Sequence, residues 1–291
     1  MMQRRFFISI LIVISLLVFS GYIKAEISFF WKIQTEKGNS YLLGSVYFLK
    51  KEHYPLRKVI EDSFVQCDIF MVGTKPPGEN QGKINKLVTE LGMYKGEKTL
   101  RDNLSGDTYK LLAERLKELG LDIELYRKFK PWIVAIVFFQ KSLEKLGFDL
   151  SNSYKFYFNS KAKATKKEII ELEGINRQVR FLDSFSKDEQ ESLLISSIQE
   201  IDKFEDMRKL WIVGDIGGYE KLLTEKRMQY PKLINIYNKY NEVLNKDVVK
   251  KIDRHLKKGK KLFVVLLTDR MVGKNGIVKL LKNKGYKVNQ L

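Results

Sequence analysis

Leu262 to Leu267 is an unbroken apolar run, LFVVLL, hydrophobic at every position. A run this short with no polar alternation is a strand covered on both faces rather than a half-exposed one. The residues after it complete a unit: a loop from Thr268 to Asn275, helical spacing from Ile277 to Lys284, a stop at Gly285 and an extended stretch from Tyr286 to Leu291. The same order occurs near the other end. There Tyr41, Leu42 and Leu43 lead into Gly44, a short loop follows, Pro55 opens a helix through Gln66, and Asp68 to Val72 reads as a strand. Two such strand, loop, helix, strand units predict an α/β fold with parallel strands beneath helices. In such sheets ligands sit on the loops beyond the carboxyl ends of the strands. The informative loops are therefore those after Leu43 and Leu267.

Between the two units the pattern is helical. Leu111, Leu112, Leu116 and Leu119 recur at helix spacing behind Ser105 as a cap, and Leu193, Leu194, Ile198 and Ile201 do so behind Ser186. Trp132 to Phe139, just after Pro131, is too short to cross a bilayer and reads as a buried helix. Glu168 to Leu172 is a strand, and Pro231 to Leu256 carries a long apolar stripe ended by Gly259. No linker-like segment divides residues 26–291, which read as one domain.

Arg4 and Arg5 precede 18 uncharged residues, Phe6 to Ile23, and Ala25 is a small residue suited to cleavage before Glu26. Residues 1–25 thus have the form of a secretory signal peptide. The protein is expected to be exported, periplasmic or extracellular, and tethered if that segment stays uncleaved, since 18 residues barely span a bilayer. The 53 Lys and Arg outweigh 35 Asp and Glu by 18 charges. Removing residues 1–25 takes away Arg4, Arg5 and Lys24, leaving 50 against 35 and a net +15. Only 12 of the basic residues are Arg, the side chain that reads phosphate and guanine bidentately, so no nucleic-acid partner is expected. An anionic envelope surface is a partner that such charge could attract.

Cys67 is the single cysteine, and neither His53 nor His255 has a ligand-spaced neighbour. A disulfide scaffold and a zinc finger are excluded. Cys67 reads as a small buried hydrophobe. Ser45 is not set in G-x-S-x-G, and no glycine-rich phosphate loop is present.

WKI followed by YLLGS (Trp31 to Ser45), FKPW (Phe129 to Trp132), ELE (Glu171 to Glu173), W-x-x-GD (Trp211 to Asp215) and MVGKNGIVKLLKNKGYKV (Met271 to Val288) together resemble the TraB/GumN family. The likeness extends over nearly the whole of residues 26–291. That family includes the Tiki metalloproteases and is similar in fold to erythromycin-esterase and ChaN-like proteins. The resemblance implies helices packed around two β-sheets, with a polar site at the strand ends. It also implies metal-dependent hydrolysis by histidines of two G-x-x-H motifs and nearby carboxylates, a set that can hold a divalent cation and activate water.

At the positions matching that set, the chain departs from the pattern. Tyr47 stands at the first histidine (Gly44, Ser45, Val46, Tyr47), and Gly73 at the glutamate of the V-x-E context. Arg270 replaces the second histidine, in Leu267, Thr268, Asp269, Arg270, Met271, Val272, Gly273, where the family usually has G-A-G-H-L-V-G. Lys155 stands at the acidic residue of G-x-D-x-Y-F, and Leu244 at the arginine of an R-N pair ending in Asn245. Glu173 alone matches a family acidic position, and Asp269 is a new carboxylate in the last loop. A guanidinium has no lone pair to give a metal. At about 4 Å and an effective dielectric of about 20 it repels a divalent ion by roughly 8 kcal/mol. The expectation is a degenerate family member, a pseudoenzyme with no metal and no other cofactor, and with no catalytic residue assigned. Lys155, Glu173 and Arg270 would instead meet an anionic small molecule or peptide. Arg270 either pairs with Glu173 or points to solvent. The competing expectation is an active hydrolase or peptidase with a rearranged set drawn from Glu173, Asp269 and Tyr47.

Overall fold

The computed structural model of the protein describes residues 29–46, 49–76 and 81–291. Residues 1–25 and Tyr47 lie outside them. Strands β1 (Phe30–Thr35) and β2 (Gly38–Ser45) form a hairpin in register Phe30 with Leu43 and Thr35 with Gly38. Gly38 closes the turn at a φ of 123°, a conformation that side chains disfavour. The remaining strands are β3 (Ile69–Val72), β4 (Glu168–Glu171), β5 (Leu262–Leu267) and β6 (Lys287–Gln290). All six pair into one sheet in the order β4-β3-β5-β2-β1-β6. The fold is thus mixed α/β as the sequence implies, but the described strands make a single sheet rather than the two that the resemblance suggested.

β5 lies parallel to both β2 and β3, and β3 parallel to β4. These strands are sandwiched: all four residues of β3 and five of the six in β5 are buried. The two terminal units differ in where their last strand goes. β3 joins β5, whereas β6 crosses to the far side and pairs antiparallel with β1, Trp31 opposite Gln290. The open edge left by the hairpin supplies the hydrogen-bonding groups that β6 takes up.

The helices are α1 (Lys58–Gln66), α2 (Gln81–Gly92), α3 (Gly106–Glu118), α4 (Pro131–Lys145), α5 (Tyr154–Ala164) and α6 (Ile175–Asp183). They continue as α7 (Lys187–Val213), α8 (Ile216–Met228), α9 (Pro231–Lys257), α10 (Thr268–Met271) and α11 (Ile277–Asn283). Ser105 caps α3 through Thr108, and Ser186 caps α7 in a reciprocal box with Glu189, as their positions before the apolar stripes predict. The apolar run after Pro131 lies in α4, where Trp132, Ile133, Val134, Ala135 and Phe138 are buried. No described helix is long and apolar enough to cross a membrane. The main core is aromatic: Phe158 of α5 packs on Phe263 of β5 at 4.7 Å between ring centroids and on Phe64 of α1 at 4.9 Å. A second core joins α3, α4 and α7 through Leu112, Leu116, Phe138, Leu194 and Ile198.

Candidate functional site

Because β2, β3, β4 and β5 run parallel, their carboxyl ends share one side of the sheet, and the residues just beyond them are brought together. The ladder between β3 and β4 continues past both strands, with Leu172 donating to the Val72 carbonyl and Glu173 to that of Gly73, each over 2.9 Å. Residue 73 thereby sits beside Glu173 with no side chain of its own. A Cβ there would lie 3.0 Å from Cδ2 of Leu266.

Beyond β5 the chain does not continue as an open loop. Thr268–Met271 forms the single helical turn α10, which turns Arg270 inward until it is 6% exposed. Its guanidinium pairs with the Glu173 carboxylate, the two side chains 7% and 1% exposed. Since β3 lies between β5 and β4, the pair spans two strand spacings, about 10 Å, across the end of β3 where residue 73 is glycine. Arg270 Nε also donates to Oδ1 of the buried Asn245 over 2.8 Å, and Asn245 Nδ2 donates to the Asn275 carbonyl over 2.8 Å. Gln178 of α6 donates to the other Glu173 oxygen over 2.9 Å. A buried cation and anion are thus held together, with polar donors and acceptors around them.

Lys155 stands apart from this network. It lies in the first turn of α5, half-buried, with Nζ 5.6 Å from the Phe156 ring centroid. Among the described residues no carboxylate forms an ion pair with it. Burial holds its amine below the usual lysine range, and the charge of Glu171 opposes that shift only in part. Glu171 itself accepts from the Lys75 backbone N–H over 2.8 Å. Asp269 points to the opposite side of α10 from Arg270. There it accepts a hydrogen bond from the Tyr219 phenol over 2.5 Å and lines a cavity of about 90 Å³.

The TraB/PrgY/gumN family model matches residues 29–290, nearly the whole chain. The chain belongs to the TraB/PrgY/gumN family. No curated protein and no solved structure matches it.

The metal that the TraB/PrgY/gumN likeness implies does not fit the residues present. Among the described residues no three His, Cys, Asp or Glu side chains come close enough to share an ion. The Glu173 carboxylate is covered by a guanidinium. The histidines are elsewhere: His53 Nδ1 takes the Lys50 N–H over 3.0 Å in a surface turn, and His255 is near the end of α9. Cys67 is buried, and burial pushes its thiol up to about 12, which leaves it inert.

Sequence reasoning missed two residues and the role of a third. Asn245 holds Arg270 in place, a contact that its position beside Leu244 did not reveal. Gln178 orients Glu173, and Lys251 Nζ donates to the Leu172 carbonyl over 2.5 Å. Neither of these two carries a motif.

Proposed function

We propose that this TraB/PrgY/gumN protein is an exported pseudoenzyme that acts by binding rather than by metal-dependent hydrolysis. What supports this reading is the Arg270–Glu173 pair, which puts a fixed positive side chain where the family pattern has a metal ligand. The ligand class is anionic: a carboxylate, a phosphate or a peptide C-terminus. Lys155, half-buried and with no ion pair among the described residues, is the cation proposed to meet it, and Arg270 and Glu173 are the other residues proposed for that ligand. A strongly basic surface after loss of residues 1–25 would hold the protein near anionic envelope polymers through salt-sensitive attraction.

The test compares the unmodified protein with a form carrying Tyr47→His, Gly73→Glu and Arg270→His together. The unmodified protein should show no peptidase turnover above a Glu173→Ala control, with or without zinc or manganese, and the combined variant should gain affinity for those ions. Metal-dependent turnover by the unmodified protein at rates well above that control would end the binding reading. The rearranged-hydrolase reading draws on the Asp269 carboxylate facing a cavity, and it requires turnover that Asp269→Asn removes.

A further inference from the structure

The cavity beside Asp269 lies at the carboxyl ends of β2 and β5, where open α/β sheets take their ligands. It is separate from the Arg270 network, because consecutive residues of α10 face opposite ways. Its walls are largely apolar, from Phe139 of α4, Phe204 and Met207 of α7 and Leu222 of α8. A few fixed polar groups among apolar walls is the composition of a small-molecule site.

The lining carries two carboxylates, Asp269 and Glu200, and two cations, Lys203 and Arg208, and neither cation is paired with Asp269. Asp269 is half-buried, and among the described residues its carboxylate has one hydrogen-bond donor, the Tyr219 phenol, and no Lys or Arg in an ion pair. Tyr219 is itself 3% exposed and packed on Phe29 at 5.1 Å between centroids, so the donor is held rigidly. Glu200, a second carboxylate of the lining, accepts from Ser196 over 3.0 Å. Of the lining cations, Arg208 is bound to Glu205 over 2.8 Å, and Lys203 is exposed and screened by solvent. A carboxylate against apolar walls is costly unless a cation meets it.

We infer that the cavity binds a small amphiphilic amine, its ammonium on Asp269 and its apolar body between Phe204, Met207 and Leu222. The site does not depend on how the metal question is resolved. It differs from the anion site of Lys155 in the sign of the ligand charge.

Titration calorimetry of the full-length chain with hexylamine, hexanol and hexanoate tests this. The three share one apolar body and differ in head-group charge. Hexylamine should bind at least about tenfold more tightly than hexanol, with hexanoate weakest, and Asp269→Asn should erase the advantage of the amine. Hexanoate binding as tightly as hexylamine, or an amine preference that survives Asp269→Asn, would overturn the assignment. Circular dichroism establishes whether Asp269→Asn folds. If it does not, Leu222→Trp, which fills the apolar wall and keeps the carboxylate, decides the matter: loss of hexylamine binding upholds the site, and unchanged binding refutes it.

Discussion

Trp211 donates its indole N–H to the carbonyl of Gly44 over 3.1 Å, joining residues 167 positions apart. The W-x-x-GD segment is thereby tied to the end of β2, and two of the motifs that carry the family likeness are one contact. Trp211→Phe leaves a buried carbonyl without its donor and should cost about 1–3 kcal/mol in urea denaturation. Gly44→Ala should cost a similar amount for a different reason. Its Cβ would lie 2.9 Å from Oγ1 of Thr268 and 3.1 Å from Cβ of Phe29.

Arg270→Met and Glu173→Leu, made singly, each strand a buried charge. Each should lower stability by about 3–5 kcal/mol. The double variant replaces the pair with apolar volume and should recover most of that loss. Denaturant midpoints of the four proteins close the cycle, and additive losses would show that the two side chains do not act together.

Lys155 titrates with the opposite sign to a paired lysine. Its folded-state pKa is lowered by burial, so between the folded and unfolded values the unfolded chain binds more protons, and stability rises with pH. Lys155→Met should therefore be the more stable protein at pH 7, and its advantage should shrink as pH climbs toward about 10. Thermal melts across that range check this. If Lys155 is the anion contact, the same change should abolish phosphate binding while improving stability, a trade seen at functional positions.

Asp253 of α9 gathers three donors: the Tyr286 phenol over 2.7 Å, and Lys257 and Lys284 over 3.1 Å each. Burial raises its pKa, but these partners outweigh it and the carboxyl titrates below the ordinary range. Its stabilisation is present above about pH 4 and fades as pH falls through the lowered value. Asp253→Asn should cost about 2 kcal/mol at pH 7, and the difference from the unmodified protein should narrow below about pH 4. A constant difference down to the acid limit would refute the assignment.

The sheet's centre was legible because β3 and β5 are hydrophobic at every position, a pattern that few other environments tolerate. Of the two expectations for Arg270, the pairing with Glu173 is the one found, and its partner was within reach of the sequence because both are charged residues at the ends of apolar strands. The route of β6 to the β1 edge was not legible, since its single apolar residue, Val288, suits either neighbour. The Tyr219–Asp269 contact was hidden too, because residues 50 apart in sequence meet there only through the packing of α8 against the strand ends. Asn245 falls between these cases: its position beside Leu244 was visible, but its hold on Arg270 depends on where α9 lies.

The pairing of β6 with β1 puts the last residues against the first strand, with the Leu291 N–H donating to Phe30 over 2.8 Å. Assembly of this sheet therefore cannot finish while residues 287–290 are still in the ribosome. A nascent or truncated chain lacking them would display the bare rim of β1, a template for self-association that β6 conceals.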